Sequence, residues 1–392
     1  MTASIIITIC VLLLIAYIFD LTSGKTKIPA VILLLLLGWL ARRISEWLEL
    51  RIPDLTTLLP VFGTIGLILI VLEGSLELEL NASKTKLIRK SFIVSLVPML
   101  VLAFGLAYAF QLYGQPDFRQ NLINAIPLCV ISSAIAIPSV KNLGSGDKEF
   151  IIYESSLSDI LGVLFFNFVV INESINFYSV TGFAWDIIVI VIVSFIATIG
   201  LAVLLNRIDH HIKFAPIILL VILIYELSKI FHLPGLIFIL LFGLFLGNLD
   251  ELKRFAWIRK LHPEKLNEEV HRFKYLTLEA TFLVRSIFFI LFGYLIEIAE
   301  IINPDTLGWA AGVVIAIVSL RAMLLTLNRL PLFPLLFVAP RGLITILLFF
   351  AIEPVNRIPL MNRSFIIQVI IFMAFLMMIG MMRKSPKRFT QP

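Results

Sequence analysis

The sequence predicts an all-α, polytopic membrane protein that crosses the bilayer about thirteen times. Three observations carry this. Of 392 residues, 60% are hydrophobic and only 15% charged, where a soluble domain carries about 25% charged residues. Mean hydropathy is +1.02. The apolar stretches run unbroken for roughly the 20 residues a spanning helix needs, instead of alternating over about 10 as barrel strands do. Too few polar residues remain to cover a water-facing surface, which excludes a soluble enzyme, a nucleic-acid binder and a disordered chain. The net charge of +6 fits basic cytoplasmic loops better than a nucleic-acid partner.

Thirteen apolar segments follow one another, at about residues 3–20, 28–45, 58–76, 91–113, 120–140, 151–172, 184–206, 214–230, 233–249, 276–298, 307–328, 331–353 and 364–382. No basic residue precedes the first, so it reads as a true span and not as a signal peptide. Placing the N-terminus outside puts the odd-numbered loops and the C-terminal tail in the cytoplasm. Those stretches, Lys84–Lys90 and Arg383–Arg388 among them, then hold about two-thirds of the 32 Lys and Arg residues, as the positive-inside rule requires. The expected location is the cell (inner or plasma) membrane, with a cytoplasmic C-terminus.

The connections are short. The longest, about residues 250–275, mixes charges with Trp257, Ile258, Leu261 and Leu266; it is expected to form an amphipathic interfacial helix between two bundles. With a tail of 383–392, no appended nucleotide-binding domain is expected, and the work is expected inside the membrane. Cys10 and Cys129 lie in apolar stretches and read as small core residues. The five histidines show no metal-ligand spacing. His210–His211 read as solvated loop residues. Asn81–Ala82–Ser83 has a glycosylation pattern but falls on the cytoplasmic side.

Ionisable side chains inside a span cost at least about 2.5–3.5 kcal/mol and usually have a partner or a function. Glu73, Glu154, Asp159, Arg285, Arg321 and Arg341 lie deep; Glu226, Glu279 and Glu297 lie nearer helix ends. Asp159 is the only aspartate well inside any span. Ser155 sits four residues before it on the same helical face, and Ser158 adjoins it. A carboxylate among hydroxyls suits a proton or a small desolvated cation; a structural ion pair with an arginine is the alternative.

The fifth and twelfth segments carry breaks. One contains Ser132, Ser133 and Pro138; the other has Pro340–Arg341–Gly342 near its middle. Irregular backbone at membrane depth survives only where it is buried or lines a cavity. Interrupted segments in matching positions of two halves point to a transporter's substrate site. The spacing fits two inverted units, segments 4–6 and 11–13, around one site.

These stretches resemble the cation:proton antiporter superfamily, in particular its NhaP/NHE-like sodium–proton exchangers. TKIPAVILLLLLGWLA (26–41), VLEGSLEL (71–78), ESSLSD (154–159), FLVRSIFFILFGY (282–294), SLRAMLLTL (319–327) and PRGLITILL (340–348) resemble the family's helix patterns in order. ESSLSD resembles Glu-Ser-Leu-Leu-Asn-Asp, the most specific of them. At the helix-five break Ile131, Ser132 and Ser133 stand where the family has Thr-Asp-Pro, and SSAIA resembles the Kef-like pattern instead. Ser158 stands where relatives carry Asn, Asp or Gln.

The resemblance implies an NhaA-like inverted-repeat fold with two discontinuous crossing helices, in one transmembrane domain over 1–382. Its scaffold and dimer part would span about 1–80 and 184–298, its ion-transporting core about 91–172 and 307–382. It implies Asp159 as the carboxylate shared by cation and proton, with Ser155, Glu73, Ser158, Ser132 and Ser133 in or near the site. Glu154 would pair with Arg321, and Arg341 would offset the half-helix dipoles. The expected activity is electroneutral antiport of Na⁺, with K⁺ the alternative, against H⁺ in a homodimer without a resident cofactor. A non-transporting sensor and an organic-anion transporter on a similar fold are the competing readings.

Overall fold

The computed structural model describes residues 2–26, 28–48, 55, 57–78, 84–115, 117–140, 143–172, 177–207, 214–231, 233–252 and 263–382. Every regular element among them is helical. Lipid imposes this, because a helix satisfies its own backbone donors and acceptors. The first four apolar segments form α1 (Thr2–Thr26), α2 (Ala30–Trp47), α3 (Leu58–Glu77) and α4 (Thr85–Leu112). The fifth is split into α5 (Phe118–Cys129) and α6 (Ser133–Ser139). Then come α7 (Ser145–Ile171), α8 (Phe177–Arg207), α9 (Phe214–Ile230), α10 (Gly235–Gly247) and the short α11 (Leu249–Leu252). Segments ten and eleven form α12 (Pro263–Tyr294) and α14 (Pro304–Leu327), joined by one turn, α13 (Ile298–Ile301). The twelfth ends in α15 (Leu343–Ala351), and the thirteenth is α16 (Arg363–Met382).

Nine of the described stretches, with α5 and α6 together counted as one, are long and apolar enough to cross a membrane by length and composition. α10, with 13 residues, is about 20 Å long, short of the roughly 30 Å hydrocarbon core. It is enclosed by α3 and α8. Its end is tied down by the Asn248 amide, which donates to the carbonyls of Leu244 at 2.8 Å and Leu78 at 2.7 Å.

Two expected elements differ. No separate interfacial helix precedes the tenth span among the described residues: α12 begins at Pro263 and runs on into the membrane. Leu266, Val270 and Phe273 recur at i, i+4 and i+7 and are buried, so this polar stretch packs as the first turns of α12. Trp257, Ile258 and Leu261 lie outside the described residues, as do Asn81–Ala82–Ser83, His210–His211 and the tail from Arg383. The first half of segment twelve is not a helix either; residues 332–337 form a bend and successive turns. Pro331 and Pro334 remove backbone donors there.

The helices pack in two groups. α1–α3, α8–α10 and α12 meet mainly one another, as do α4–α7 and α14–α16. Between the groups, α2 and α3 meet α6, while α3 also meets α7 and α15. Glycine permits backbone-to-backbone contact inside the first group. A Cβ on Gly38 would lie 2.0 Å from the Ile290 carbonyl oxygen, and one on Gly293 2.2 Å from that of Leu35. Backbone cannot step aside, so α2 and α12 approach at a distance that only glycine permits.

Gly38→Ala should therefore cost about 1–3 kcal/mol through overpacking and lower the melting temperature of the detergent-solubilised protein. Gly308→Ala, where an added Cβ meets nothing within 4 Å, should leave it unchanged or raise it slightly. Equal melting temperatures for the two variants would refute the packing argument.

Candidate functional site

The two interrupted segments cross at their breaks. The Ser132 N–H donates to the Pro340 carbonyl at 2.9 Å. Gly342 lies at the crossing, where a Cβ would fall 2.4 Å from Ile135 Cδ1 and 3.1 Å from Ser132 Oγ. Gly162 of α7 admits Val130 of the break in the same way, its own Cβ position lying 2.3 Å from Val130 Cγ2. Larger residues at these glycines would force the crossing apart.

A break leaves carbonyls unsatisfied at the end of one half-helix and N–H groups at the start of the next. Buried in lipid, each must find a protein partner. Arg341 is 2% exposed. It donates from Nε to the Leu128 carbonyl at 2.9 Å, from Nη2 to that of Cys129 at 3.3 Å and from Nη1 to that of Ala339 at 2.7 Å. Its charge thereby meets the partly negative C-terminus of α5. Arg321 of α14 serves the other break, donating to the carbonyls of Leu335 at 2.9 Å and Val338 at 3.2 Å. The Ile131 N–H donates to Ser158 Oγ at 2.9 Å.

Two buried carboxylates on α7 have different surroundings. Glu154 receives a bidentate pair from Arg321, at 2.5 Å and 2.8 Å, which compensates its charge. Asp159 is 1% exposed, and its Oδ2 accepts from the Ser133 N–H at 3.2 Å and from the Ser133 hydroxyl. Its Oδ1 accepts no hydrogen bond from the described residues. Ser132 Oγ, buried at the crossing, likewise has no partner among them.

The structure thus brings Ser133 to Asp159, Ser158 to the break backbone, and Glu154 to Arg321. The Ser155 hydroxyl donates to the Ile151 carbonyl of its own helix at 2.7 Å. Glu73 is half-buried on α3, next to Gly74, whose Cβ position lies 2.9 Å from Ser156 Oγ on α7. Two residues unnoticed in the sequence lock the surrounding helices. Arg119 donates to the Val169, Val170 and Asn172 carbonyls at the end of α7. Asn124 donates to the Asn356 carbonyl at 2.7 Å and accepts from the Ile358 N–H. Asn124 was legible as an amide inside an apolar stretch; nothing in the sequence marks Arg119 apart from the other loop arginines.

Such a crossing, with unwound backbone around a buried carboxylate, is how inverted-repeat transporters build their sites. The transmembrane sodium/hydrogen exchanger family matches residues 10–383, nearly the whole chain. The chain belongs to this family. Membership makes it a multi-pass membrane transporter of the cation/proton exchange class and not an enzyme. The fold is similar to that of the sodium proton antiporter MjNhaP1 from Methanocaldococcus jannaschii at pH 8, with a TM-score of 0.66 and 19% identity over 96% of this chain and 94% of that one. A second structure of MjNhaP1, from electron microscopy, gives a TM-score of 0.66 and 19% identity over 97% and 94%. No curated protein matches the chain in sequence.

Removing one partner of the Glu154–Arg321 pair strands a buried charge, at a cost of about 3–5 kcal/mol. Glu154→Gln and Arg321→Met should each lower the melting temperature sharply, while the double variant should be more stable than Arg321→Met alone. A double variant at the additive sum of the two losses would show that the charges are not coupled.

Proposed function

We propose that the protein exchanges a monovalent cation for a proton at Asp159 by alternating access. One observation carries this reading. Asp159 is a buried carboxylate met only by neutral donors among the described residues, with one oxygen unused, whereas Glu154 on the same helix is compensated by Arg321. A bare carboxylate in low dielectric is costly. Either a proton or a cation relieves that cost, and the two exclude each other. The loaded site crosses the hydrophobic barrier; the empty, charged one crosses poorly. Exchange is therefore obligatory.

With Asp159 as the one carboxylate that exchanges its proton, and no second acid at the helix-five break, where Ile131, Ser132 and Ser133 stand, the stoichiometry is one for one and transport is electroneutral. Na⁺ is the expected cation and K⁺ the alternative. Hydroxyl and carbonyl oxygens suit either as ligands; Ser133, Ser132, Ser155, Ser158 and Glu73 are the candidates to complete the shell. Glu154, Arg321 and Arg341 hold the crossing and touch no substrate. α4–α7 and α14–α16 move as one body against α1–α3, α8–α10 and α12, which also carry the homodimer contact. The basic loops support a cell-membrane location with the N-terminus outside and the tail in the cytoplasm. No resident cofactor is required.

In proteoliposomes holding an imposed pH gradient, Na⁺ should collapse the gradient with wild type and fail to do so with Asp159→Asn. Trials with Li⁺, K⁺ and Rb⁺ then rank selectivity. A folded wild-type protein that moves protons for no monovalent cation would end the antiport reading.

Competition has a second consequence. Protons held on Asp159 must leave before a cation binds, so the cation KM should rise as pH falls, by up to about tenfold per pH unit once the site is mostly protonated. A KM independent of pH would mean separate sites for the two ions. An imposed membrane potential should leave the rate unchanged.

A further inference from the structure

An ion pair of the first helix group faces the second group across a cavity, away from the crossing. Asp20 of α1 and Arg285 of α12 both belong to the first group, and Asp20 Oδ1 lies 3.6 Å from Arg285 Nη2, beyond hydrogen-bond distance. Neither side chain is fully enclosed: 20% of the Asp20 side chain and 10% of the Arg285 side chain stay exposed. They line a narrow cavity of about 10 Å³, room for a single water or an ion of similar size. Ser286 of α12 also lines it, and its buried hydroxyl has no hydrogen-bond partner among the described residues. The opposite wall is α6, through Pro138 and Ser139. α6 starts at Ser133, the residue that holds Asp159. Seven residues of helix span about 10 Å, so the cavity runs beside the element that reaches the proposed transport carboxylate.

We infer that Asp20 is a relay site for a monovalent cation on the scaffold side of the passage to Asp159, with Arg285 as its resting counter-ion and Ser286 as an added oxygen ligand. The contrast with Glu154–Arg321 supports this. That pair is bidentate and fully buried, so neither partner can be exchanged without stranding a charge. The Asp20–Arg285 pair is longer and less enclosed, with no hydrogen bond to Asp20 Oδ1 from the described residues, so its geometry leaves that oxygen open to a second partner. A passing cation can displace the guanidinium from Asp20 at little cost, while Arg285 at rest keeps the narrow passage from trapping a cation permanently. A carboxylate at a constriction also raises the local cation concentration.

The inference rests on the antiport reading, and one experiment separates the two. Cation-driven proton movement is measured in proteoliposomes over a range of Na⁺ concentrations for wild type, Asp20→Asn, Asp20→Glu and Arg285→Gln, with melting temperatures recorded for each. Wild-type transport that is absent altogether sinks the antiport reading and this inference together; active wild type leaves the relay to be judged by its variants. A relay predicts that Asp20→Asn raises the cation KM about three- to tenfold with a smaller change in Vmax. Asp20→Glu should restore most of the affinity, and Arg285→Gln, which removes the competitor, should lower KM. A clasp that merely joins α1 to α12 predicts that Asp20→Asn and Arg285→Gln act alike, lowering Vmax and melting temperature without moving KM apart. Like effects, or an Asp20→Asn protein with wild-type KM, overturn the relay. Should Asp20→Asn fail to fold, Arg285→Gln and Asp20→Glu still decide it by the sign of their KM shifts.

Discussion

Unwinding a helix in the middle of a membrane exposes peptide groups that lipid cannot satisfy, and the rest of this core follows from that constraint. The interrupted segments meet one another through Ser132 N–H and the Pro340 carbonyl, but that contact settles one donor and one acceptor. The carbonyls at the end of α5 take Arg341, and the turns before α15 take Arg321. Each arginine supplies several donors in a fixed plane, which a lysine could not. Bringing two cations into lipid creates its own cost. Glu154 answers one of them; the peptide dipoles at the end of α5 answer the other. Ser158 and Asp159 then supply acceptors for the two N–H groups nearest the break, those of Ile131 and Ser133. On the proposed reading, the transport carboxylate is thus also part of the hydrogen bonding that makes the break possible.

The sequence displayed the spans and the breaks because both have local signatures. Continuous apolar runs of roughly 20 residues allow little but a spanning helix, and Pro340–Arg341–Gly342 inside such a run cannot stay helical and satisfied. What it hid depended on neighbours distant in the chain. Pro331 and Pro334 favour the turns at 332–337, but that Arg321 takes the Leu335 and Val338 carbonyls they leave free is invisible to hydropathy. The polar stretch from Pro263 joins α12 because Leu266, Val270 and Phe273 find a buried face, a tertiary effect that overrides composition. Ser158 shows the same limit for the site. Its position beside Asp159 was plain, yet its oxygen is used by the Ile131 N–H. The partner of Arg285 was hidden because Asp20 lies at the very end of an apolar run, where a carboxylate looks solvated.

Rigidity and motion are also separated by where polar contacts fall. Within the second group, side chains cross from helix to helix: Arg321 to Glu154, Arg341 to the α5 carbonyls, Arg119 to the end of α7, Asn124 to Asn356. In a membrane, where apolar contact between helices competes with lipid, such ties and close glycine packing set what moves together. The first group uses the second device, with Gly38 and Gly293 bringing α2 and α12 to backbone contact. From the second group, Arg363 donates to the Leu295 carbonyl at 2.6 Å, and the Gln368 amide donates to the carbonyls of Ile301 and Asn303. These ties gather at the segment between α12 and α14, one of three places where the chain passes from one group to the other. On the proposed reading, these two internally fastened bodies, joined by the chain at three connections and meeting elsewhere through α2, α3, α6, α7 and α15, shift against each other without breaking the crossing. The buried hydrogen bonds at the breaks then travel intact with the second body, so a carboxylate held there can change the solution it faces while its own partners stay in place.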